Sequence, residues 1–332
     1  MKPNTKDNHH HQEEEEEEEQ KNKTIKTNTG NGNNNNSCII LENYRIEGIS
    51  VGGQETCLIF PQLKISFDIG RCPQRSVYSE LVLLTHTHMD HVGGLGMFIA
   101  SRNLLHLQKP EILCPEEKVE DVSRFLEALK VLDDSELPHD LIAFSPPSSS
   151  SSKSNNNFFR MKNKRYVVKC FRTIHPVPSQ GYVIYSTKQK LKDEYLKLSG
   201  NEIKELKFKG VEISDTIDVP EICFTGDTTI DWINQDNEDN DVIKDGLKAK
   251  VLVMECTFVN DEVSIEQAIK FGHTHVKQIA ENSQRFLECG SILLIHFSAR
   301  YKREEIIEGL KANLSSIPEL YKKITPLLVG YC

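Results

Sequence analysis

Along most of the chain, short apolar runs alternate with polar or glycine-containing turns. The runs at 57–60, 64–68, 81–85, 166–173, 181–186, 221–225, 251–254 and 292–296 have the length of buried strands. Apolar residues at helical spacing predict helices over 94–102, 117–132, 263–287 and 303–312. Strands come early and late with helices interleaved. That order predicts an α/β layered domain and argues against a bundle or an all-β sandwich. No internal repeat is legible in the sequence.

The pattern fails in two places. Residues 1–37 contain a histidine tract at 9–11, a glutamate run at 13–19 and an asparagine run at 33–36. Like charges repel, and nothing apolar offsets the entropy of ordering, so this segment is expected to be a disordered tail ahead of one layered domain at 38–332. A serine- and asparagine-rich tract at 145–157 is expected to be an expanded surface loop within that domain.

Composition narrows the class. The 332 residues carry a net charge of −9, which argues against indiscriminate coating of nucleic acid but leaves room for local basic patches. Nine cysteines, an odd number with no CxxC pair, argue against a disulfide framework or a zinc knuckle and favour a reducing compartment. No apolar run is long enough to span a bilayer, so no membrane partner is expected. The start has no apolar or Arg-rich leader pattern, and a cytoplasmic or nuclear location is the expectation.

The polar residues just past the predicted strands carry the chemistry. His86 and His88 follow the run at 81–85, His175 follows 166–173, Asp227 follows 221–225 through Gly226, and His296 ends 292–296. In layered α/β proteins, groups just past strand ends converge on one edge of the sheet. The spacing in His86-Thr87-His88-Met89-Asp90-His91 is specific, because imidazole and carboxylate are good zinc ligands and alternate residues of an extended segment point the same way. His86 and His88 can hold one ion, with Asp90 and His91 past the turn holding a second. Two ions about 4 Å apart require a shared anion, for which Asp227 is the candidate together with a hydroxide. His175 would complete the first ion and His296 the second, while Asp90 would also orient the attacking water and take its proton. Asp68 is either an acceptor behind a ligand imidazole or an ordinary turn residue.

The segment from His86 to His91 resembles the metallo-β-lactamase superfamily signature. Thr173-Ile174-His175, Pro178-Ser179-Gln180-Gly181-Tyr182, Phe224-Thr225-Gly226-Asp227-Thr228, Glu255-Cys256-Thr257-Phe258, Gly272-His273-Thr274-His275 and His296-Phe297-Ser298-Ala299-Arg300-Tyr301 narrow the resemblance. In that order they resemble ribonuclease Z (tRNase Z), the endonuclease that removes 3′ trailers from precursor tRNA, in its short plant-type form. The resemblance runs from about Tyr44 to the C-terminus. It implies a four-layer αβ/βα sandwich, a homodimer and two Zn²⁺ per subunit. It assigns His86, His88 and His175 to one zinc, Asp90, His91 and His296 to the other, and Asp227 to both. It also implies that Glu255 and His273 work together on the leaving oxygen. A departing 3′ oxygen needs a proton, and a carboxylate raises the pKa of an imidazole partner.

RNA needs handles as well as metals. The Lys-rich stretch at about 188–210 holds Lys188, Lys190, Lys192, Lys207 and Lys209, and lies where the resemblance implies a tRNA-binding arm. These lysines would neutralise phosphates in a salt-dependent way. Asp193, Glu194, Glu202 and Glu205 lie among them, so a solvated helix or hairpin is the competing reading. Ser298 and Arg300, just after His296, are candidates for a phosphate near the metals, and Arg71 is a weaker one. The expected reaction is attack of a bridging hydroxide on the phosphodiester, leaving a 3′-hydroxyl on the tRNA and a 5′-phosphate on the trailer. The alternative is a small-molecule hydrolase of the same fold, a thioesterase or lactonase, which would share the metal ligands but lack the Glu255/His273 pair.

Overall fold

A computed structural model describes residues 38–146, 158–235 and 241–332. The tail at 1–37 and most of the tract at 145–157 lie outside the described residues.

Two seven-stranded mixed sheets form the centre. The first contains β1 (Ile39–Leu41), β2 (Tyr44–Val51), β3 (Glu55–Phe60), β4 (Ile65–Phe67), β5 (Leu81–Leu83), β6 (Glu111–Cys114) and β7 (Asp140–Ala143), side by side in chain order. The second contains β8 (Phe159–Arg160), β9 (Tyr166–Arg172), β10 (Gln180–Leu191), β11 (Ser214–Phe224), β12 (Val251–Glu255), β13 (Ser291–Ile295) and β14 (Ile324–Pro326), again in chain order. In each sheet the first four strands are antiparallel neighbours and the last three are added in parallel. The repeat that is invisible in the sequence is therefore present in the topology.

Helices cover the outer faces. They are α1 (Met89–Val92), α2 (Leu95–Leu104), α3 (Val119–Asp133), α4 (Gly200–Phe208), α5 (Asp241–Gly246), α6 (Ile265–Phe271), α7 (Val276–Glu281), α8 (Arg303–Leu314) and α9 (Pro318–Tyr321). The side-chain period of two sorts each strand between layers. Leu81, Leu83, Val251, Val253, Leu293 and Ile295 meet Phe67, Phe224 and Tyr182 between the sheets. Val82 and Leu84 instead face Phe98 and Ile99 of α2, while Leu252, Met254, Ile292 and Leu294 face α7 and α8. Strands buried on both faces explain why the sequence shows continuous apolar runs there without alternation.

Each of the eight expected strands is present. The structure adds β1, β2, β6, β7, β8 and β14, which are short or carry too many polar residues to stand out. The helix expected over 263–287 is not continuous. Gly272 ends α6 in the left-handed region at φ 79°, and a Cβ there would lie 2.3 Å from Pro176 Cδ and 2.8 Å from His175 Nδ1. The chain leaves the helix so that Gly272 can pass close to His175, and restarts at α7.

β10 and β11 continue past the sheet as a two-stranded ribbon, with 186–191 paired to 214–219 and α4 at its end. The Lys-rich segment is this projection. It is a ribbon on the Lys188 and Lys190 side and a helix, capped by Ser199, on the Lys207 side.

Candidate metal centre

β4, β5 and β11–β13 all point their C-terminal ends toward one edge of the two sheets, and residues at or just past those ends build the site. Asp68 follows β4, Thr85 and His86 follow β5, and α1 carries Asp90 and His91 in its single turn. His175 comes from the β9–β10 connection and Asp227 follows β11. Glu255 is the last residue of β12, and His296 follows β13. The edges are tied together where they meet: Gln180 N donates to Thr85 O, and Tyr182 Oη donates to Leu84 O.

Seven side chains of the expected set come together. Donor atoms of His86, His88 and His175 lie within 4.8 Å of one another, as do those of Asp90, His91 and His296. Asp227 is shared, since its Oδ2 is 3.3 Å from both His91 Nε2 and His296 Nε2 and 3.7 Å from His86 Nε2. Asp90 Oδ2 lies 3.6 Å from His91 Nε2 and 3.5 Å from His296 Nε2, and accepts the Gly53 N–H at 3.0 Å. His175 Nδ1 donates to Gly272 O, which turns its Nε2 to within 3.1 Å of His88 Nδ1.

The donor set fits divalent metal. His86 Nε2 is fully buried and has no hydrogen-bond partner, an arrangement that costs free energy unless something accepts its lone pair. His91 Nδ1 is 2.8 Å from Asp68 Oδ2, so Nδ1 carries the proton and Nε2 presents a lone pair 3.4 Å from His296 Nε2. Two imidazole lone pairs facing each other call for a cation between them. That cation can be a proton or a metal ion, and the surrounding charges favour either. Burial opposes charge on His91, but Asp227 and Asp68 outweigh it and raise its pKa well above the usual value. Burial likewise opposes charge on Asp227, and His296 and His91 outweigh it and drive its pKa well down. Burial, reinforced by His91, pushes His86 the other way, so it stays neutral as a ligand must.

Beside the cluster stands a second carboxylate–imidazole pair. Glu255 Oε1 is 3.0 Å from His273 Nδ1, and the carboxylate also accepts the backbone N–H groups of Thr228, Thr257 and Thr274. Burial would lower the His273 imidazole, but Glu255 outweighs it and lifts the pKa to about 9. A donor atom of His273 lies within 4.8 Å of ligand atoms on Asp227 and His296, and its ring stacks on that of His296 with centroids 5.4 Å apart. His275 is elsewhere. It is buried, caps α7 and accepts from Lys277 N.

Two site residues hold an unfavourable backbone: Asp68 at φ 56° and His296 at φ 61° are in the left-handed region without being glycine. Such residues cost on the order of 1–3 kcal/mol and cluster at functional sites.

Comparison with known proteins accords with this geometry. No protein-family model matches the chain. It is 48% identical over 272 residues to "tRNase Z TRZ1" of Arabidopsis thaliana, an alignment that covers 82% of this chain and 91% of that relative. The chain belongs to the tRNase Z family. A second Arabidopsis thaliana member, "tRNase Z TRZ2, chloroplastic", is 43% identical over 291 residues, covering 88% of this chain and 77% of the relative. Among solved structures, human tRNase Z short form (ELAC1) shares the fold with a TM-score of 0.52 at 18% identity, covering 84% of this chain and 93% of that one.

In this tRNase Z family member, the remaining candidate residues lie outside the ligand cluster. Ser298 Oγ accepts from Arg300 Nε at 3.0 Å, and the Arg300 guanidinium sits 5.7 Å over the Phe258 ring, whose centroid is 6.2 Å from that of His273. The five arm lysines are not in the site. Lys188 is drawn to Glu221 at 3.5 Å and Lys190 to Asp193 at 3.5 Å, while no ion pair involves Lys192, Lys207 or Lys209 among the described residues. Sequence reasoning passed over three groups that hold the site: Gly53 N on Asp90, Thr85 on His86, and Thr257 on His296. Their contacts span 37, 1 and 39 residues; only Thr85 adjoins its partner in sequence, and nothing in a lone threonine signals the role.

Proposed function

We propose that the chain is an endoribonuclease that cleaves precursor tRNA at its 3′ side, leaving a 3′-hydroxyl on the tRNA and a 5′-phosphate on the trailer. The observation that carries this is the Glu255–His273 pair set against the ligand cluster, in a chain of the tRNase Z family. His86, His88 and His175 would hold one Zn²⁺, Asp90, His91 and His296 a second, with Asp227 between. Two such ions neutralise phosphate charge and supply water of lowered pKa.

The protein's own groups do the rest. Burial opposes charge on Asp90, but His296 and His91 outweigh it and hold its pKa at about 2, so it remains a carboxylate that would accept a hydrogen bond from the attacking water and orient it. His273, held by Glu255 at Nδ1, presents Nε2 to donate a proton to the departing 3′ oxygen. Arg300, with Ser298 on its Nε, would meet a phosphate flanking the scissile one. Asp68 serves as the acceptor behind His91.

A homodimer is the proposed assembly. Met97 and Leu104, seven residues apart on α2, and the adjoining Tyr78 and Leu105 are exposed apolar side chains on one side of the first sheet. Sedimentation velocity should give a dimer that Met97→Lys with Leu104→Lys shifts toward monomer. The proposed compartment is the cytoplasm or nucleus. Nine free cysteines, six of them buried, suit a reducing environment, and among the described residues no helix is long and apolar enough to cross a membrane. A fluorescent fusion of the full chain tests this against import into an organelle.

Incubation with a precursor tRNA bearing a 3′ trailer, with both product ends mapped, tests the activity. A 3′-hydroxyl at the tRNA end and a 5′-phosphate on the trailer are expected. Absence of cleavage, with turnover of a thioester or lactone instead, would overturn the reading.

A further inference from the structure

Each of two buried carboxylates in the site holds one histidine directly and a second through a threonine hydroxyl. Asp68 takes His91 Nδ1 directly at 2.8 Å. It also accepts Thr85 Oγ1 at 2.8 and 3.1 Å, and Thr85 Oγ1 lies 2.9 Å from His86 Nδ1. Glu255 takes His273 Nδ1 directly at 3.0 Å. It also accepts Thr257 Oγ1 at 2.5 Å, and Thr257 Oγ1 lies 3.1 Å from His296 Nδ1. Asp68 and Glu255 are 0% exposed, as are Thr85 and His86; Thr257 is 5% and His296 2% exposed.

A hydroxyl has one proton. An ionised carboxylate only accepts, so the Thr257 proton goes to Glu255 and the Thr85 proton to Asp68. Each hydroxyl oxygen is then left as an acceptor toward its histidine. His296 and His86 must therefore carry their protons on Nδ1 and present bare Nε2 lone pairs. For His86 that lone pair is the buried atom with no partner, and for His296 it is the atom facing Asp227 and Asp90.

We propose that Thr85 and Thr257 are positioning residues that fix the tautomers of His86 and His296, and that Thr257 ties one ligand of the second ion to the same carboxylate that holds the leaving-group histidine. The proposal rests on the metal reading of this site. Partners of this kind behind a ligand histidine are worth about 10- to 100-fold in metal affinity. Neither threonine is among the clustered donor groups. Each acts through its histidine.

Thr257→Val keeps the shape and removes the hydroxyl, and Thr257→Ser restores it. Zinc affinity of the stripped full-length protein is measured by competition with a chromophoric chelator. The tautomer is read from ¹⁵N shifts of selectively labelled histidine, with His296→Gln assigning the signal. In the wild type two ions bind, and before metal is added, at alkaline pH where the ring is neutral, His296 carries its proton on Nδ1. Thr257→Val should weaken one ion about 10- to 100-fold, leave the other within about threefold, and give a mixed His296 tautomer, with Thr257→Ser reverting both. Thr85→Val should weaken the other ion. Valine variants that bind both ions as the wild type does and keep a single Nδ1–H tautomer would overturn the proposal. Wild-type protein that binds no zinc-type ion would instead remove the metal reading beneath it.

Discussion

In the proposed reaction Asp90 and His273 act on opposite sides of the phosphodiester, and neighbouring groups set the state of each. Gly53 N donates to Asp90 Oδ2, fixing a carboxylate that His296 and His91 keep ionised against burial. Asp90→Ala should lower cleavage of precursor tRNA about 10²- to 10⁴-fold with circular dichroism unchanged; activity within about tenfold of wild type would assign the water to another group. His273 is useful as an acid only while protonated. Its pKa is raised, so the acid form persists below about 9 and is lost as pH rises through that value. Glu255→Gln removes the charge that lifts it. The alkaline limb of the kcat profile should then move to lower pH, toward the ordinary imidazole range near about 6.5. A limb that stays in place would mean the falling activity belongs to a different group.

At the scale of elements, the break between α6 and α7 is a functional feature written as a glycine. Gly272 at φ 79° lets the chain turn beneath His175, whose Nδ1 it accepts, and sends His273 toward Glu255. Gly272→Ala meets both a disfavoured backbone and Pro176, so a loss of about 1–3 kcal/mol in denaturant unfolding is expected, with a larger proportional loss of cleavage activity. Unchanged stability would show that the turn relaxes. The sequence predicts a continuous helix here because the apolar spacing continues through the glycine, and periodicity alone does not report a left-handed residue. The arm sorts its lysines. Lys188 is engaged with Glu221 at the root of the ribbon, whereas Lys192, Lys207 and Lys209 have no ionic partner among the described residues. The triple Lys→Ala change at 192, 207 and 209 should reduce the slope of log affinity against log salt for precursor tRNA by about 2–3, and Lys188→Ala by less. An unaltered slope would put the RNA contact on another surface.

For the molecule as a whole, seven donors from four chain segments meet along one edge shared by the two sheets. Chelation should abolish cleavage and lower the thermal midpoint, because metal bound only to the folded state adds to its stability, and re-added zinc should restore both. A midpoint unaffected by chelator would argue that the cluster holds itself together by the Asp227–His91–His296 charges alone.

Much of this was legible in the sequence, and the reason is local. Runs such as 81–85 and 251–254 are apolar on both faces because both faces are buried, and the ligands lie within a few residues of the ends of such runs. The layered class, the convergence at one edge and the grouping around His86–His91 come from that pattern alone, and the resemblance to tRNase Z added the Glu255/His273 pair. The tertiary structure decided what depends on contacts between segments distant in sequence. Short strands such as β1 and β14 exist because a neighbour supplies their hydrogen bonds. The repeated topology of the two sheets is carried by backbone pairing that tolerates different side chains. The tautomer of His296 depends on a hydroxyl 39 residues away and on the carboxylate behind it. A sequence can show which side chains are able to bind a metal. Only the packed chain determines which nitrogen of each imidazole is left to do so.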